Sequence, residues 1–292
     1  RLAQGATGTG SDADGVRGWE SVAVDAKGNV LVLWLDHRET VSADAMHKHD
    51  SASGVQSATP MPKPSPTERA GLSQLYFSSL NGTKAVKITR SVCYCCKTSL
   101  ATAGGNVYAV WRHVYPGSQR DIAFSMSADG GRTFSAPVRV SDDHWQIDGC
   151  PDNGPAIAID RDRRAHVVWP TPADGKTASS LALFYAITRD GRAFTTRTRI
   201  PTRGPASHPQ MAMERDGSML VAWDEIVDGA RRMAVTRARV DAAGIVSFSA
   251  VTSPDGSAGS WYPALSTTPT GTLMAWVKQL DKGSAIGVGT VK

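Results

Sequence analysis

The sequence predicts an all-β fold, a β-propeller with five repeat units, and two observations lead to it. The first is a phrase that recurs five times, a short turn followed by an apolar run that ends on tryptophan. The second is the spacing of these tryptophans, 77, 58, 54 and 53 residues along the chain. A period of roughly 50 residues is typical of propeller blades. The five tryptophans are Trp34, Trp111, Trp169, Trp223 and Trp276.

Each unit opens with a predicted hairpin, because a short run of small and β-branched apolar residues precedes the tryptophan strand. Such runs occupy residues 21–25, 156–160 and 211–214. Further strands follow in every unit, so we expect four strands to a blade with the tryptophan on the second. The blade number stays open between two alternatives. The propeller has five blades if the first residues supply a closing strand, and six if an upstream blade is missing.

A turn motif identifies the kind of repeat. Residues 127–134 read Ser-Ala-Asp-Gly-Gly-Arg-Thr-Phe. We expect Ser127 and Asp129 to accept hydrogen bonds from turn amides, a glycine to supply the positive φ, and Phe134 to pack into the core. A shortened copy lies at residues 188–194, and a decayed one at residues 79–82.

This motif, in phase with the tryptophan phrases, resembles the Asp box of the sialidase-like propellers (BNR repeats), in their bacterial exported branch. The resemblance covers nearly the whole chain. It implies a sialidase-like β-propeller in the periplasm or outside the cell. In that family the Asp boxes are structural, so they are assigned no chemistry here.

Composition bounds the function classes. The chain has 292 residues, 41% of them hydrophobic, and no apolar run long enough for a membrane span. Its net charge of +5 is diffuse, without the basic and aromatic clusters that follow nucleic acid, so we expect no nucleic-acid partner. We predict a single domain over residues 1–292, with a Met/His/Pro-rich loop insertion at about 39–70.

All four cysteines fall on one predicted face of the propeller. Cys93, Cys95 and Cys96 precede the first strand of the second unit, and Cys150 precedes that of the third. Equivalent segments of neighbouring blades lie side by side, so we expect Cys150 within reach of the other three. Two chemistries fit: disulfides in an oxidising compartment, or a thiolate site for Cu(I), with zinc possible.

Histidines map to the same face, whereas His166 lies inside a strand and is expected in the core or on the outer face. The predicted metal ligands are therefore Cys93, Cys95, Cys96, Cys150, His113, His144 and His208. The insertion adds imidazole and thioether groups, a pairing that favours copper. Its residues, predicted as a lid or secondary metal site, are His37, Met46, His47 and His49. The alternative is a solvated insertion with incidental histidines.

These residues predict an exported metal-binding propeller that binds copper or uses it in redox chemistry. Its predicted partner is a metal ion, and a small molecule or glycan is a further candidate ligand at the propeller mouth.

The resemblance also implies an alternative, an exo-sialidase-like glycoside hydrolase, which needs an arginine triad, a tyrosine nucleophile and acidic partners. The candidates are Arg17, Arg38 and Arg112 for the triad, Tyr262 or Tyr94 for the nucleophile, and Asp36 or Glu225 for the acids. The family's Arg-Ile-Pro motif is out of place, because residues 199–201 follow the third unit's turn instead of preceding the first. A further alternative is a disulfide-stapled binding scaffold.

Overall fold

The computed structural model describes residues 17–40, 65–80, 84–149 and 151–291. The fold is all-β, a β-propeller as the sequence predicts, and it has five blades, one of the two alternatives that the sequence leaves open. Within each blade, strands that follow one another in sequence are neighbours in the sheet and run antiparallel. No helix in these ranges is long and apolar enough to cross a bilayer.

The elements follow in chain order. The first blade contains β1 (Arg17–Val24), β2 (Val30–Asp36), β3 (Gln74–Ser79) and β4 (Val86–Arg90). The second contains β5 (Ser99–Ala103), β6 (Asn106–Arg112), β7 (Ile122–Ser127) and β8 (Val138–Arg139). The third contains β9 (Ala156–Ile159), β10 (Ala165–Pro172), β11 (Leu181–Thr188) and β12 (Thr198–Arg199). The fourth contains β13 (Ala206–Met213), β14 (Met219–Val227), β15 (Ala230–Val240) and β16 (Val246–Phe248). The fifth has three strands in the described part, β17 (Ser260–Thr268), β18 (Gly271–Gln279) and β19 (Ser284–Val291). The α-helix α1 spans Pro66–Leu72, and 3₁₀ turns lie at Pro116–Ser118 and Ala178–Ser180.

The five tryptophans occupy equivalent positions, which confirms the repeat register. Each lies on the second strand of its blade, on β2, β6, β10, β14 or β18. Each of these strands has a neighbour on both sides. The strands β2, β6, β10 and β14 are mostly buried and read as continuous apolar runs, whereas β18 alternates between buried and more exposed residues. All eight residues of β10 are buried, for example.

The first strands of three blades share a register shift at a residue with positive φ, which the sequence did not predict. The register of the β1, β13 and β17 pairs shifts at Trp19, His208 and Tyr262, and these residues have φ values of 51°, 53° and 55°. Non-glycine residues rarely adopt this left-handed conformation, and such strain is common at functional sites. It appears here at equivalent positions of the repeat.

The chain divides into two compact units, residues 1–137 with 146–152, and residues 138–145 with 153–292. The core of the first unit is a cluster that includes Leu33, Phe77 and Trp111. The second unit has one cluster around Val221 and Trp223, and another that includes Trp276.

The turn at residues 127–134 has the predicted hydrogen bonds. The Gly131 amide donates to Ser127 Oγ at 2.8 Å, and Asp129 Oδ1 accepts from the Thr133 amide at 3.0 Å. Bonds from Thr133 and Ser127 lower the pKa of the Asp129 carboxyl well below its usual range. The ring of Phe134 packs edge-on against Phe77 of the first blade, 5.2 Å between centroids. The turn therefore locks a hairpin and joins two blades of the first unit.

The shortened copy at residues 188–194 keeps part of this network. The Gly191 amide donates to Thr188 Oγ1 at 3.0 Å, and the Arg192 amide to Asp190 Oδ1 at 2.9 Å. The decayed copy at residues 79–82 extends beyond the described residues.

Candidate thiol and metal centre

Three cysteine sulfurs meet in one turn between β4 and β5. The Cys93 amide donates to the Arg112 carbonyl at 2.9 Å, and the Cys96 amide donates back to the Cys93 carbonyl at 3.3 Å. This turn brings Cys96 Sγ to 3.0 Å and Cys95 Sγ to 3.8 Å from Cys93 Sγ. All three sulfurs lie within 4.8 Å of one another. The three cysteines, which are close in sequence, thus place their sulfurs around a single point.

The cysteine turn is buried under a helix. Cys93, Cys95 and Cys96 are 0%, 5% and 1% exposed, and they pack with Val114 and with Ala70 of α1. The helix starts at a capping box, in which Ser65 Oγ accepts from the Glu68 amide and Glu68 accepts from the Ser65 amide. The end of the long insertion therefore covers the cysteines.

The other residues predicted for this lid, Met46, His47 and His49, lie outside the described residues. The signal for α1 was present in the sequence, since Ser-Pro-Thr-Glu at residues 65–68 is a capping-box pattern with proline at the first helical position.

The three cysteines differ in oxidation state. Cys95 is disulfide-bonded, whereas Cys93 and Cys96 carry thiols. A site with three thiolates consequently requires reduction of the Cys95 disulfide. Cys150 lies outside the described residues, so its approach to the other cysteines stays a prediction.

A buried arginine contacts this cluster. Arg120 is fully buried, and its Nη1 donates to Cys93 Sγ at 3.5 Å. Its Nε and Nη2 have no hydrogen-bond partner in the described part of the chain. A buried cation is costly unless a counter-charge is near, which favours a thiolate at Cys93.

Other contacts act in the same direction. The hydrogen bond from the Cys96 thiol, assisted by the charges of Arg120 and Arg112, outweighs burial and lowers the pKa of the Cys93 thiol to about 7. Arg112 is itself buried, and its Nη1 donates to the Arg120 carbonyl at 2.5 Å. Cys93 is therefore substantially ionised near neutral pH.

His37 lies close to the cysteine turn. Its ring is buried, edge-on to Trp19 and Tyr94, with Nδ1 at 3.0 Å from Ser73 Oγ. The Ser73 hydroxyl in turn donates to the Arg69 carbonyl at 3.2 Å.

Burial also lowers the pKa of the His37 imidazole, against the opposing effect of Asp36 and the Tyr94 backbone. Burial therefore favours the neutral imidazole, the form that binds metals.

The predicted histidine ligands have contacts of their own. Across the described residues, the converging ligand atoms at this centre belong to the three cysteines and to no histidine. His113 Nδ1 accepts from the Trp111 indole at 3.2 Å. His144 and His208 belong to the second unit, where His208 Nδ1 lies 2.7 Å from Asp224 Oδ1. His166, expected in the core or on the outer face, is buried between Tyr185 and Asp160.

Several candidate glycosidase residues contact other side chains of the protein. In the first unit, Arg38 donates two hydrogen bonds to the buried carboxylate of Asp36, from Nε to Oδ1 at 2.9 Å and from Nη2 to Oδ2 at 2.5 Å. In the second unit, Glu225 is fully buried and accepts from Arg203 Nε at 2.6 Å and from the Trp223 indole at 3.0 Å. The Tyr262 amide donates to Asp224 Oδ1 at 3.2 Å. The Tyr262 ring packs against the His208 ring, with 4.2 Å between the ring centroids.

The comparisons with known proteins concern the fold. No family model and no curated protein matches the chain. Among solved structures it is similar to a protein of unknown function from Dyadobacter fermentans DSM 18053, at 10% identity and a TM-score of 0.61, over 96% of this chain and 80% of that one. The Hadza microbial sialidase Hz136 matches at 17% identity and a TM-score of 0.50, over 75% of this chain and 52% of that one. A polysaccharide lyase of family PL25, an ulvan lyase, matches at 11% identity and a TM-score of 0.50, over 92% of this chain and 66% of that one. At these identities the likeness establishes the propeller fold and carries no function across.

Proposed function

We propose that this chain is an exported metal-binding propeller of the Asp-box kind, and that the thiolates of Cys93, Cys95 and Cys96 bind Cu(I). The observation that carries the proposal is the convergence of three sulfurs in one buried turn. The hydrogen-bonded turns at residues 127–134 and 188–194 support the Asp-box assignment. The Cys95 disulfide supports an oxidising compartment such as the periplasm.

The sulfur positions suit a small soft ion. Metal–thiolate bonds are about 2.3 Å long, so sulfurs on one ion lie at most ~4–5 Å apart. The observed separations from Cys93 Sγ, 3.0 and 3.8 Å, need only small shifts to meet this condition. Thiolates select Cu(I) and zinc over hard cations. Structural zinc takes four ligands, so zinc requires one donor beyond these three.

The protein around the cysteines favours their charged form. Arg120 places a buried positive charge at 3.5 Å from Cys93 Sγ, and α1 keeps water off the cluster through Ala70. His37, buried beside Tyr94 of the cysteine turn, and the Met46 to His49 segment are proposed as a secondary site through which copper loads.

Metal content tests this proposal. Purified protein, reduced and incubated with Cu(I) under anaerobic conditions, should hold one copper per chain by elemental analysis after desalting. Cys95→Ser and Cys96→Ser should each abolish stoichiometric binding. Tyr94→Phe, in the same turn but without a sulfur change, should retain it. The assignment would be refuted if reduced wild-type protein held no copper, or if the serine variants kept one full equivalent of copper per chain. A preference for zinc in direct competition would instead change the identity of the proposed metal to zinc.

The glycoside hydrolase alternative has weaker support from the geometry. Its candidate arginine and acid, Arg38 and Asp36, neutralise each other, and Glu225 is buried against Arg203. Hydrolysis of a sialoside reporter, lost on substitution of Arg112 or Tyr262, would establish that activity. If neither copper binding nor hydrolysis is found, the remaining hypothesis is a disulfide-stapled scaffold that binds a glycan or small-molecule ligand.

A further inference from the structure

The cysteine turn brings together the reactants of a redox reaction as well as metal ligands. Cys95 is in a disulfide, and Cys93 and Cys96 are thiols. Cys93 Sγ is the central atom, 3.0 Å from Cys96 Sγ and 3.8 Å from Cys95 Sγ. Residues 93 and 96 also have the Cys-x-x-Cys spacing of redox dithiols. We infer that these three cysteines form an internal thiol–disulfide exchange relay, which moves the disulfide from Cys95 to the Cys93–Cys96 pair.

The first step is attack by the Cys93 thiolate on Cys95 Sγ. A Cys93–Cys95 bond forms, the bond between Cys95 and its disulfide partner breaks, and the partner sulfur leaves with the electron pair and takes up a proton. Arg120 Nη1, donating to Cys93 Sγ, stabilises the attacking thiolate. Its Nε and Nη2 have no other partner in the described part of the chain to compete for the charge.

The second step uses the thiol on the other side. Cys96 loses its proton and attacks Cys93 Sγ, the Cys93–Cys96 bond forms, and Cys95 leaves as a thiolate that is then protonated. A disulfide bond is about 2.05 Å long, so the two sulfurs approach by roughly 1 Å. Two thiols are consumed and two produced, and no external oxidant or reductant is needed.

Burial explains why the exchange is internal. Cys93 and Cys96 are at most 1% exposed, which shields both thiols from external disulfides, while the Cys95 sulfur lies in contact with Cys93. The relay thereby connects a buried dithiol to the disulfide of Cys95, which lies in the same buried turn. It uses the cysteines of the proposed metal site but needs no metal, so the two proposals can fail separately.

Position-specific labelling of the metal-free protein tests the relay. Wild-type protein holding one disulfide is equilibrated with EDTA, quenched in acid and denaturant, and alkylated with a light reagent. It is then reduced and alkylated with a heavy reagent. Fragment-ion mass spectrometry reads which cysteines were in disulfides. We expect heavy label on Cys93 and Cys96 as well as on Cys95.

Two serine variants, checked for folding by circular dichroism, resolve the steps. Cys96→Ser should stop the relay halfway, so that heavy label appears on Cys93 together with Cys95. Cys93→Ser should leave Cys96 entirely light, because the central sulfur is gone. Heavy label on Cys96 in the Cys93→Ser protein would mean random scrambling. Wild-type protein with heavy label confined to Cys95 and its partner would overturn the relay, and this measurement stands even if a variant does not fold.

Discussion

One glycine decides how closely the turn at residues 127–134 can approach the first blade. Gly131 has a φ of +92°, and a Cβ built there would lie 2.0 Å from Cε1 of Phe77. Phe77 is fully buried and packs against Phe134, so its ring has little room to move. The glycine is therefore required by both its conformation and its contact.

Its neighbour allows a matched test. Gly131→Ala should lower the free energy of unfolding by about 2–4 kcal/mol, because overpacking adds to the cost of a positive φ. Gly130→Ala should cost about 1 kcal/mol, since Gly130 has a φ of +75° but nothing within 4 Å of a new Cβ. Urea denaturation measures both. Equal losses would show that conformation alone governs the turn.

At the scale of the strand, equivalent tryptophans have different polar surroundings. The Trp223 indole donates to the buried carboxylate of Glu225 at 3.0 Å. The Trp34 indole nitrogen is buried without a hydrogen-bond partner among the described residues. The repeat therefore conserves the apolar packing of the second strand and varies what the indole N–H contacts.

This difference predicts unequal costs for one substitution. Trp→Phe at either position removes similar apolar volume, but Trp223→Phe also removes a donor to a buried charge, worth about 1.5–3 kcal/mol. Trp34→Phe removes a donor that has no described acceptor. Chemical denaturation should show Trp223→Phe as the more destabilising by roughly that amount. A larger loss at Trp34 would indicate that packing outweighs the hydrogen bond.

At the scale of the whole molecule, the described part of the long insertion, residues 37–40 and 65–73, adds no strand to its blade. It leaves β2 after Asp36 and returns at Gln74, and β2 and β3 pair in register, with Trp34 opposite Tyr76. Within the described residues, α1 packs on the cysteine turn through Ala70. We therefore expect the strands of the first blade and the cover over the cysteines to be separable parts.

Two deletions distinguish these parts. Removing residues 44–62 should leave the circular dichroism spectrum and Tm close to wild type, and should slow or weaken copper loading. Removing residues 66–72 takes away Ala70 and should make Cys93 and Cys96 react faster with a thiol reagent. Loss of cooperative unfolding in the first deletion would show that the insertion is part of the core.

The sequence by itself determined the repeat. The tryptophan spacing predicted five units and the position of Trp34 and its equivalents, and residues 127–134 predicted the turn hydrogen bonds. These features depend on neighbours close in the chain, so local spacing records them. The proximity of Cys93, Cys95 and Cys96 was likewise implied by their adjacency.

The tertiary structure alone decided the chemistry of that cluster. Arg120 lies 27 residues from Cys93 and carries no local signal, yet it contacts the sulfur. Arg203, 22 residues from Glu225, occupies a carboxylate that the glycosidase alternative requires. Burial and long-range contacts set the charge and reactivity of these side chains, and they exist only once the chain has folded.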